Sequence, residues 1–417
     1  MFKEGFDRCM NRRRFLRALS AGAVGFAGGC GLSFEDGIFN PCLPGPLPEH
    51  LSNHEAVRAA WAGIDPTKLW DCHVHVAGVG DGDTGVWITP QMKSWHHPWQ
   101  TLQRRIYLNA ACTQSEGSVD QDFLRRLSEC LGAFPPGAKA MLLAFDFNYD
   151  EHGTRRADLS AFHVPNRYAA ATAHRFSERF EWICSVHPYR GDALEELDWC
   201  AANGALAVKW LPSAMGMDPA SPRCDGFYAA LARHRLPLLT HGGEEQAVHG
   251  GRFHDLNNPL RLRRLLDHGL RVIVAHCASL GEHKDIDKSI EGPKVNAFGL
   301  FARLMDEAKY EGQLFGEISA LTQANRAGSP LEILLKRSEW HHRLINGSDY
   351  PLPGVVPLFS PRRFVEQGYL NENEAKVLSE IRRYNPLLFD FVLKRSLVKN
   401  GRRFAPAVFE SRRIFTN

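Results

Sequence analysis

Five short stretches of this chain share one design: an apolar run that ends in a side chain able to bind a cation or move a proton. The first is Leu69-Trp70-Asp71-Cys72-His73-Val74-His75. The others are Leu206-Ala207-Val208-Lys209, Leu236-Pro237-Leu238-Leu239-Thr240-His241, Val272-Ile273-Val274-Ala275-His276 and Leu344-Ile345-Asn346-Gly347-Ser348-Asp349. A strand alternates its faces, which sets His73 and His75 on one side and Cys72 and Val74 on the other. Two imidazoles so spaced can grip one cation. Mixed imidazole and carboxylate donors suit Zn²⁺, with Mn²⁺ or Fe²⁺ as alternatives. Binding to such an ion lowers the pKa of water from about 15.7 to about 7. Asp349 is placed to take that water's proton and pass it to a leaving group.

These ligand ends are useful only if the fold gathers them. From Leu69 onward the sequence alternates β-runs with helix-like segments. The runs are Leu69–Val76, Lys139–Phe147, Phe180–His187, Ala205–Leu211, Leu236–His241, Arg271–His276, Leu314–Ser319 and Arg343–Ser348. Between them lie amphipathic helical candidates at Asp120–Leu131, Asn166–Phe180, Asp192–Ala202, Asp225–His234, Pro259–Asp267, Lys294–Lys309 and Pro330–Glu339. Strands apolar along their whole length, separated by helices, predict a parallel sheet covered by helices. Eight repeats predict a closed (β/α)8 TIM barrel, with an open doubly wound sheet as the alternative. Such barrels carry their chemistry at the carboxyl rim. Two loops leave that rim and exceed the length of a simple connection. Gly78 to Val119 contains Trp87, Trp95, His96, His97, Trp99, Arg104 and Arg105; Asn148 to Pro165 contains His152, Arg155 and Arg156. Both are expected to fold over the site as lids and substrate walls.

The chain has 417 residues, 44% hydrophobic and 23% charged, an ordinary globular composition with ample material for a core. Asn11-Arg12-Arg13-Arg14-Phe15-Leu16-Arg17 resembles a twin-arginine export signal, and the Gly/Ala-rich run after it is too short to span a bilayer. Ala27-Gly28-Gly29-Cys30 resembles a lipoprotein cleavage site with Cys30 as the lipidated residue, although Ala27 replaces the usual larger apolar residue. The expected divisions are therefore a leader over 1–29, a Pro-rich spacer and extension over 30–68, a barrel over 69–395 and a tail over 396–417. The implied destination is the periplasm, by way of the twin-arginine machinery, with a lipid anchor if Cys30 is modified. The leader carries Lys3, Arg8, Arg12, Arg13, Arg14 and Arg17 against Glu4 and Asp7, a net +4, so the remainder of a +3 chain is near −1. That balance gives no reason to expect nucleic-acid binding. The ten cysteines are scattered, without the paired spacing of a zinc knuckle or redox motif. Most are expected to be free, with Cys72, Cys184 and Cys277 acting as small apolar filler in strands.

Taken together, His-x-His on the first strand, His241, His276 and Asn346-Gly347-Ser348-Asp349 resemble the amidohydrolase superfamily, in the branch of the aminocarboxymuconate-semialdehyde decarboxylase-like enzymes. The likeness runs from about Leu69 to about Phe391 and includes Val186-His187-Pro188, Gly204 to Lys209 and Asn385-Pro386. The resemblance implies His73, His75, His241 and Asp349 as metal ligands. It implies His276 as a ligand of a second metal or as an acid/base group. Lys209 matches a lysine that is carboxylated to bridge two ions in binuclear members; as a free amine it would pair with Asp349 or a substrate anion, so one ion and two remain open. Weaker candidates for substrate contact are His187 and Tyr189, with Glu244 and Glu245 beside His241, and Arg104, Arg105, Arg155 and Arg156 for a substrate carboxylate. His96 and His97 fit wall packing better than metal binding. The implied activity is metal-dependent hydrolysis of a C–N or ester/lactone bond in a small molecule; the alternative is decarboxylation of an unsaturated or aromatic carboxylate. The substrate and the oligomeric state are not legible.

Overall fold

Each apolar run carries a strand in the computed structural model, which describes residues 37–113, 117–248 and 253–416. In chain order these are β1 (Trp70–His75), β2 (Lys139–Leu143), β3 (Phe180–Ile183), β4 (Val208–Trp210), β5 (Leu238–His241), β6 (Val272–Ala275), β7 (Leu314–Glu317) and β8 (Leu344–Ile345). β1 to β3 form one parallel ladder and β4 to β8 another. Two seams close the circle. Cys184 bridges Val208, and the Lys209 amide donates to the Cys184 carbonyl at 2.7 Å. Val74 bridges Tyr350, and the Asp349 amide donates to the His73 carbonyl at 2.8 Å. The fold is the (β/α)8 barrel, and the open-sheet alternative falls away.

One register detail departs from simple alternation. Asp71 pairs with Ala140 but Val74 pairs with Leu142, so β1 carries one extra residue. Such a bulge rotates the residues beyond it. Cys72 consequently packs inside the barrel with Trp70, Met141 and Ile183, while Val74 packs outside against the helical layer. The expectation that Cys72 shares a face with Val74 is therefore corrected, and the bulge is what lets His73 and His75 still face inward.

The helical layer follows the sequence with local differences. Val119–Leu131 starts at Ser118, whose side chain accepts from the Gln121 amide. Asn166 does not cap its helix, Asn166–Arg175; its amide instead clamps Ser185, donating to the carbonyl at 3.0 Å and accepting from the N–H at 2.9 Å. Lys294–Asn296 is a strand paired with Glu282–Lys284, and the helix begins only at Ala297, capped by Asn296. Beyond the barrel, Glu372–Tyr384 opens with a capping box at Asn371 and Glu374, and Asn385 caps Pro386–Ser396. Near the end of the chain, Ile414 and Phe415 join the apolar cluster inside the barrel, and Ser411 hydrogen bonds both the N–H and the carbonyl of Asn346.

The two long loops build the roof. Trp87–Ile88 from the first pairs antiparallel with Phe162–His163 from the second. A lid helix, Pro98–Ala110, lies within the first loop; Pro98 opens it at the position where proline costs no hydrogen bond. A disulfide, Cys42–Cys112, ties the N-terminal spacer to the residues just after this helix. Cys72, Cys130, Cys184, Cys200, Cys224 and Cys277 are free and buried. No helix among the described residues is long and apolar enough to cross a membrane. The leader and Cys30 lie outside the described residues.

Candidate metal centre

At the carboxyl rim, β1 delivers His73 and His75, β4 Lys209, β5 His241, the turn after β6 His276, and the turn after β8 Asp349. All are buried except His75, whose side chain is 21% exposed. Asp349 Oδ1 lies 3.1 Å from His75 Nε2 and 3.5 Å from His73 Nε2, and its Oδ2 lies 3.8 Å from His276 Nε2. Lys209 Nζ is 3.2 Å from His73 Nε2. The His241 and His276 rings stand edge to face at 5.2 Å. The backbone bends sharply to achieve this. His276, Cys277 and Ala278 hold positive φ angles of 56°, 49° and 50°, and Asp349 holds 60°. A run of non-glycine residues in that region is costly and clusters at functional sites.

The outer nitrogens of His73, His241 and His276 are engaged. His73 Nδ1 meets Glu317 Oε2 at 3.0 Å; His241 Nδ1 meets Glu245 Oε2 at 3.3 Å; His276 Nδ1 meets the Ser319 hydroxyl at 2.8 Å and the Ser319 carbonyl at 3.1 Å. Acceptors on the Nδ1 side leave Nε2 as the lone pair facing the centre, the arrangement a ligating histidine needs. His241 Nε2 is buried with no hydrogen-bond partner, a costly condition in the absence of a ligand. Burial drives His73, His241 and His276 toward the neutral form, with Lys209 adding to the effect on His73 and Arg326 to that on the other two. Burial opposes ionisation of Asp349, but the surrounding imidazoles hold its carboxyl well below the usual range. Burial also lowers the Lys209 ammonium, against the pull of Asp349 and Glu317. Imidazole nitrogens gathered around one ionised carboxylate fit a divalent cation. His73, His75 and Asp349 offer donor atoms within 4.8 Å of one another.

A cavity of about 140 Å³ opens over these residues. Its walls are chiefly apolar: Val86, Ile88 and Leu108 from the first loop, Phe162 and Val164 from the second. Arg104 and Tyr107 of the lid helix reach it, and Arg104 Nε is buried without a partner. Glu245 lines it as well, with its other oxygen accepting from the Ala247 and Val248 amides.

Other sequence candidates stand elsewhere. His187 is fully buried, accepts from the Tyr189 amide at Nδ1 and donates from Nε2 to the Met215 carbonyl. Both its nitrogens serve loop backbone, and neither it nor Tyr189 lines the cavity. Arg155 is exposed and sits over the Phe147 ring, Arg156 pairs with Asp158, and Arg105 is exposed. His96 stacks on exposed Trp95 and His97 precedes the lid helix. Glu244 bonds Gln246 and stays outside the cavity. Sequence reasoning passed over Glu317, Ser319 and Arg326. Glu317 had a signal, since Leu314-Phe315-Gly316-Glu317 is one more apolar run ending in a ligand-type residue.

A closed barrel with imidazoles and a carboxylate converging on one rim is a layout able to hold a divalent metal. The chain belongs to the amidohydrolase family, whose profile matches residues 70–356. Members of that family generally bind a divalent metal. Among solved structures the chain is similar to a TIM-barrel protein of Bordetella bronchiseptica (14% identity, 73% of this chain and 92% of that one, TM-score 0.46). It is also similar to a probable 2-pyrone-4,6-dicarboxylic acid hydrolase of Acinetobacter baumannii (16%, 68% and 84%, TM-score 0.40). A third is the 5-carboxyvanillate decarboxylase of Sphingomonas paucimobilis (12%, 76% and 98%, TM-score 0.40). At these identities and scores the likenesses bear on neither substrate nor reaction. No curated protein matches the sequence.

Proposed function

We propose that this chain is an exported, metal-dependent hydrolase that cleaves a C–N or ester/lactone bond in a small, largely apolar molecule. The observation that carries this reading is the convergence of the His73, His75 and His276 Nε2 atoms on the Asp349 carboxylate beneath a small apolar cavity. His73, His75, His241 and Asp349 would hold the ion. A divalent ion bound there supplies Lewis acidity toward a carbonyl and a water. Asp349 takes the proton of that water as its oxygen bonds to the carbonyl carbon. The same proton then passes to the nitrogen or oxygen that departs when the tetrahedral centre collapses. His276, with Nε2 unprotonated, is the second group able to accept a proton from a substrate atom. Lys209 supports either a carboxylated bridge between two ions or a donor to substrate; its lowered basicity is compatible with both. The apolar walls exclude bulk water and strengthen these interactions.

A second reading has its own observation. Arg104 offers an unpartnered Nε at the cavity wall, suited to a carboxylate, and decarboxylation of an unsaturated or aromatic acid would use it. Metal content measured beside turnover of a mixed panel of esters, lactones, amides and aromatic acids separates the two. Hydrolysis without CO₂ release supports the first; CO₂ release alone overturns it. Wild-type metal in a His73→Ala/His75→Ala variant would overturn both.

The location rests on the leader, Arg12 to Leu16, and on Cys30, and the Cys42–Cys112 disulfide supports an oxidising compartment. Replacing Arg12, Arg13 and Arg14 by lysine should leave the precursor in the cytoplasm, and unchanged export would refute this route. Cys30→Ser should release the mature protein from membranes if the cysteine is lipidated.

A further inference from the structure

We infer that Glu317 is the positioning residue of the centre, holding His73 directly and His276 through Ser319; this rests on the reading of His73 as a metal ligand. Glu317 ends β7, is fully buried and lies outside the cavity lining, so it does not meet substrate. Its Oε2 is 3.0 Å from His73 Nδ1 and 2.6 Å from the Ser319 hydroxyl. Its Oε1 takes the Ser319 amide. The Ser319 hydroxyl is in turn 2.8 Å from His276 Nδ1.

Proton counting fixes the pattern. An ionised carboxylate only accepts, so both His73 Nδ1 and the Ser319 hydroxyl must donate to Glu317. The Ser319 oxygen has then spent its one proton and can only accept from His276. The Ser319 carbonyl, 3.1 Å from the same nitrogen, is also purely an acceptor. His276 therefore carries its hydrogen on Nδ1. A single carboxylate thus presents two imidazoles, a metal ligand and an acid/base group, each with its Nε2 lone pair toward the centre.

The competing assignment is a second cation held by His73, His276 and Glu317, whose donor atoms also lie within 4.8 Å of one another. The lone pairs decide against it. His73 Nδ1 and His276 Nδ1 carry the hydrogens that they donate to Glu317 and Ser319, so neither has a lone pair for a cation on that side. The Ser319 hydroxyl, 2.6 Å from Glu317 Oε2 and 2.8 Å from His276 Nδ1, already stands between those two partners. Gly347 completes the arrangement. A Cβ there would stand 2.6 Å from His73 Cβ and 2.7 Å from Glu317 Oε1, so only glycine lets the chain just beyond β8 pass this pair.

The test compares Glu317→Gln with Ser319→Ala. Chelator competition with Zn²⁺ should show a 10- to 100-fold loss of affinity in Glu317→Gln, the scale for removing an outer-shell partner. Ser319→Ala, which keeps the Glu317–His73 bond, should bind within about threefold of wild type while turnover falls. Long-range ¹H–¹⁵N spectra of the metal-free protein should place the His73 hydrogen on Nδ1 in wild type and in Ser319→Ala, and redistribute it in Glu317→Gln. Wild-type affinity in Glu317→Gln, together with lost affinity in His73→Ala, would overturn this inference and leave the metal reading standing. Wild-type affinity in His73→Ala would instead remove the reading beneath it. If Glu317→Gln does not fold, Ser319→Ala remains decisive: a loss of affinity tenfold or greater there would overturn the separation of roles.

Discussion

Gly347→Ala puts the packing argument at the centre to a quantitative test. The added Cβ would lie 2.6 Å from His73 Cβ, 2.7 Å from Glu317 Oε1 and 3.0 Å from Glu317 Cδ. Carbon atoms pack at about 3.5–4.0 Å, so the neighbours must retreat by about 1 Å. All three are buried and none is the loose end of a surface chain. Moving His73 from Glu317 by that amount takes their 3.0 Å contact out of hydrogen-bonding range. Losing a bond to a charged group costs about 1.5–3 kcal/mol, and overpacking adds about 1–3 kcal/mol. The sum, about 2.5–6 kcal/mol, is a large share of a typical stability of about 5–15 kcal/mol. Urea unfolding of the metal-free protein reads the stability, and chelator competition reads the affinity. Gly299→Ala is the control: that glycine sits in the helix Ala297–Asp306 with nothing near its absent Cβ, and alanine there should be neutral or stabilising by up to about 1 kcal/mol. A Gly347→Ala protein as stable as wild type, with unchanged metal affinity, would refute the packing argument.

Asp349→Asn keeps size and a weak oxygen ligand but removes the base. Folding should be near wild type, metal retained or mildly reduced, and turnover about a hundredfold lower or more; a metallated, fully active variant would show that the proton goes elsewhere. Asp390 concerns stability instead. Burial lifts its carboxyl from the usual 3.8 to about 7, against the pull of Lys394 at 2.6 Å. A raised carboxyl contributes stability that is complete below pH 4 and lost as pH rises to 7. Wild type should therefore lose up to about 4 kcal/mol relative to Asp390→Asn across that window, and a pH-independent difference would contradict it. Replacing Cys42 and Cys112 together by serine opens a loop with a sequence separation of 70. The chain-entropy relation puts the loss at about 4 kcal/mol, and denaturation midpoints that match those of the oxidised parent would refute the constraint.

What the sequence discloses here depends on whether a signal is local. An apolar run ending in histidine or aspartate is local, and β1, β5, β6 and the turn after β8 all stand where those runs fall. The bulge in β1 is not local. Nothing in Trp70-Asp71-Cys72-His73-Val74-His75 reveals that one residue more than its partner strand must be accommodated; the pairing with β2 imposes it. The same holds for the loops. Arg104 and Arg155 look alike in sequence, both on long rim loops. Only the lid helix decides that Arg104 turns to the cavity while Arg155 rests on Phe147 in solvent. His187 shows the converse: the residue type suits chemistry, but backbone partners distant in sequence consume both nitrogens. Glu317 marks the boundary between the two cases. Its run was readable as a strand with an acid at its end, yet the meaning of that acid lies in Ser319, His276 and His73. Those partners come from three different strand ends, and only the closed barrel brings them within one hydrogen bond of each other. For a barrel enzyme the groups that face the centre can be read from strand ends, whereas the groups that hold them from behind are set by closure.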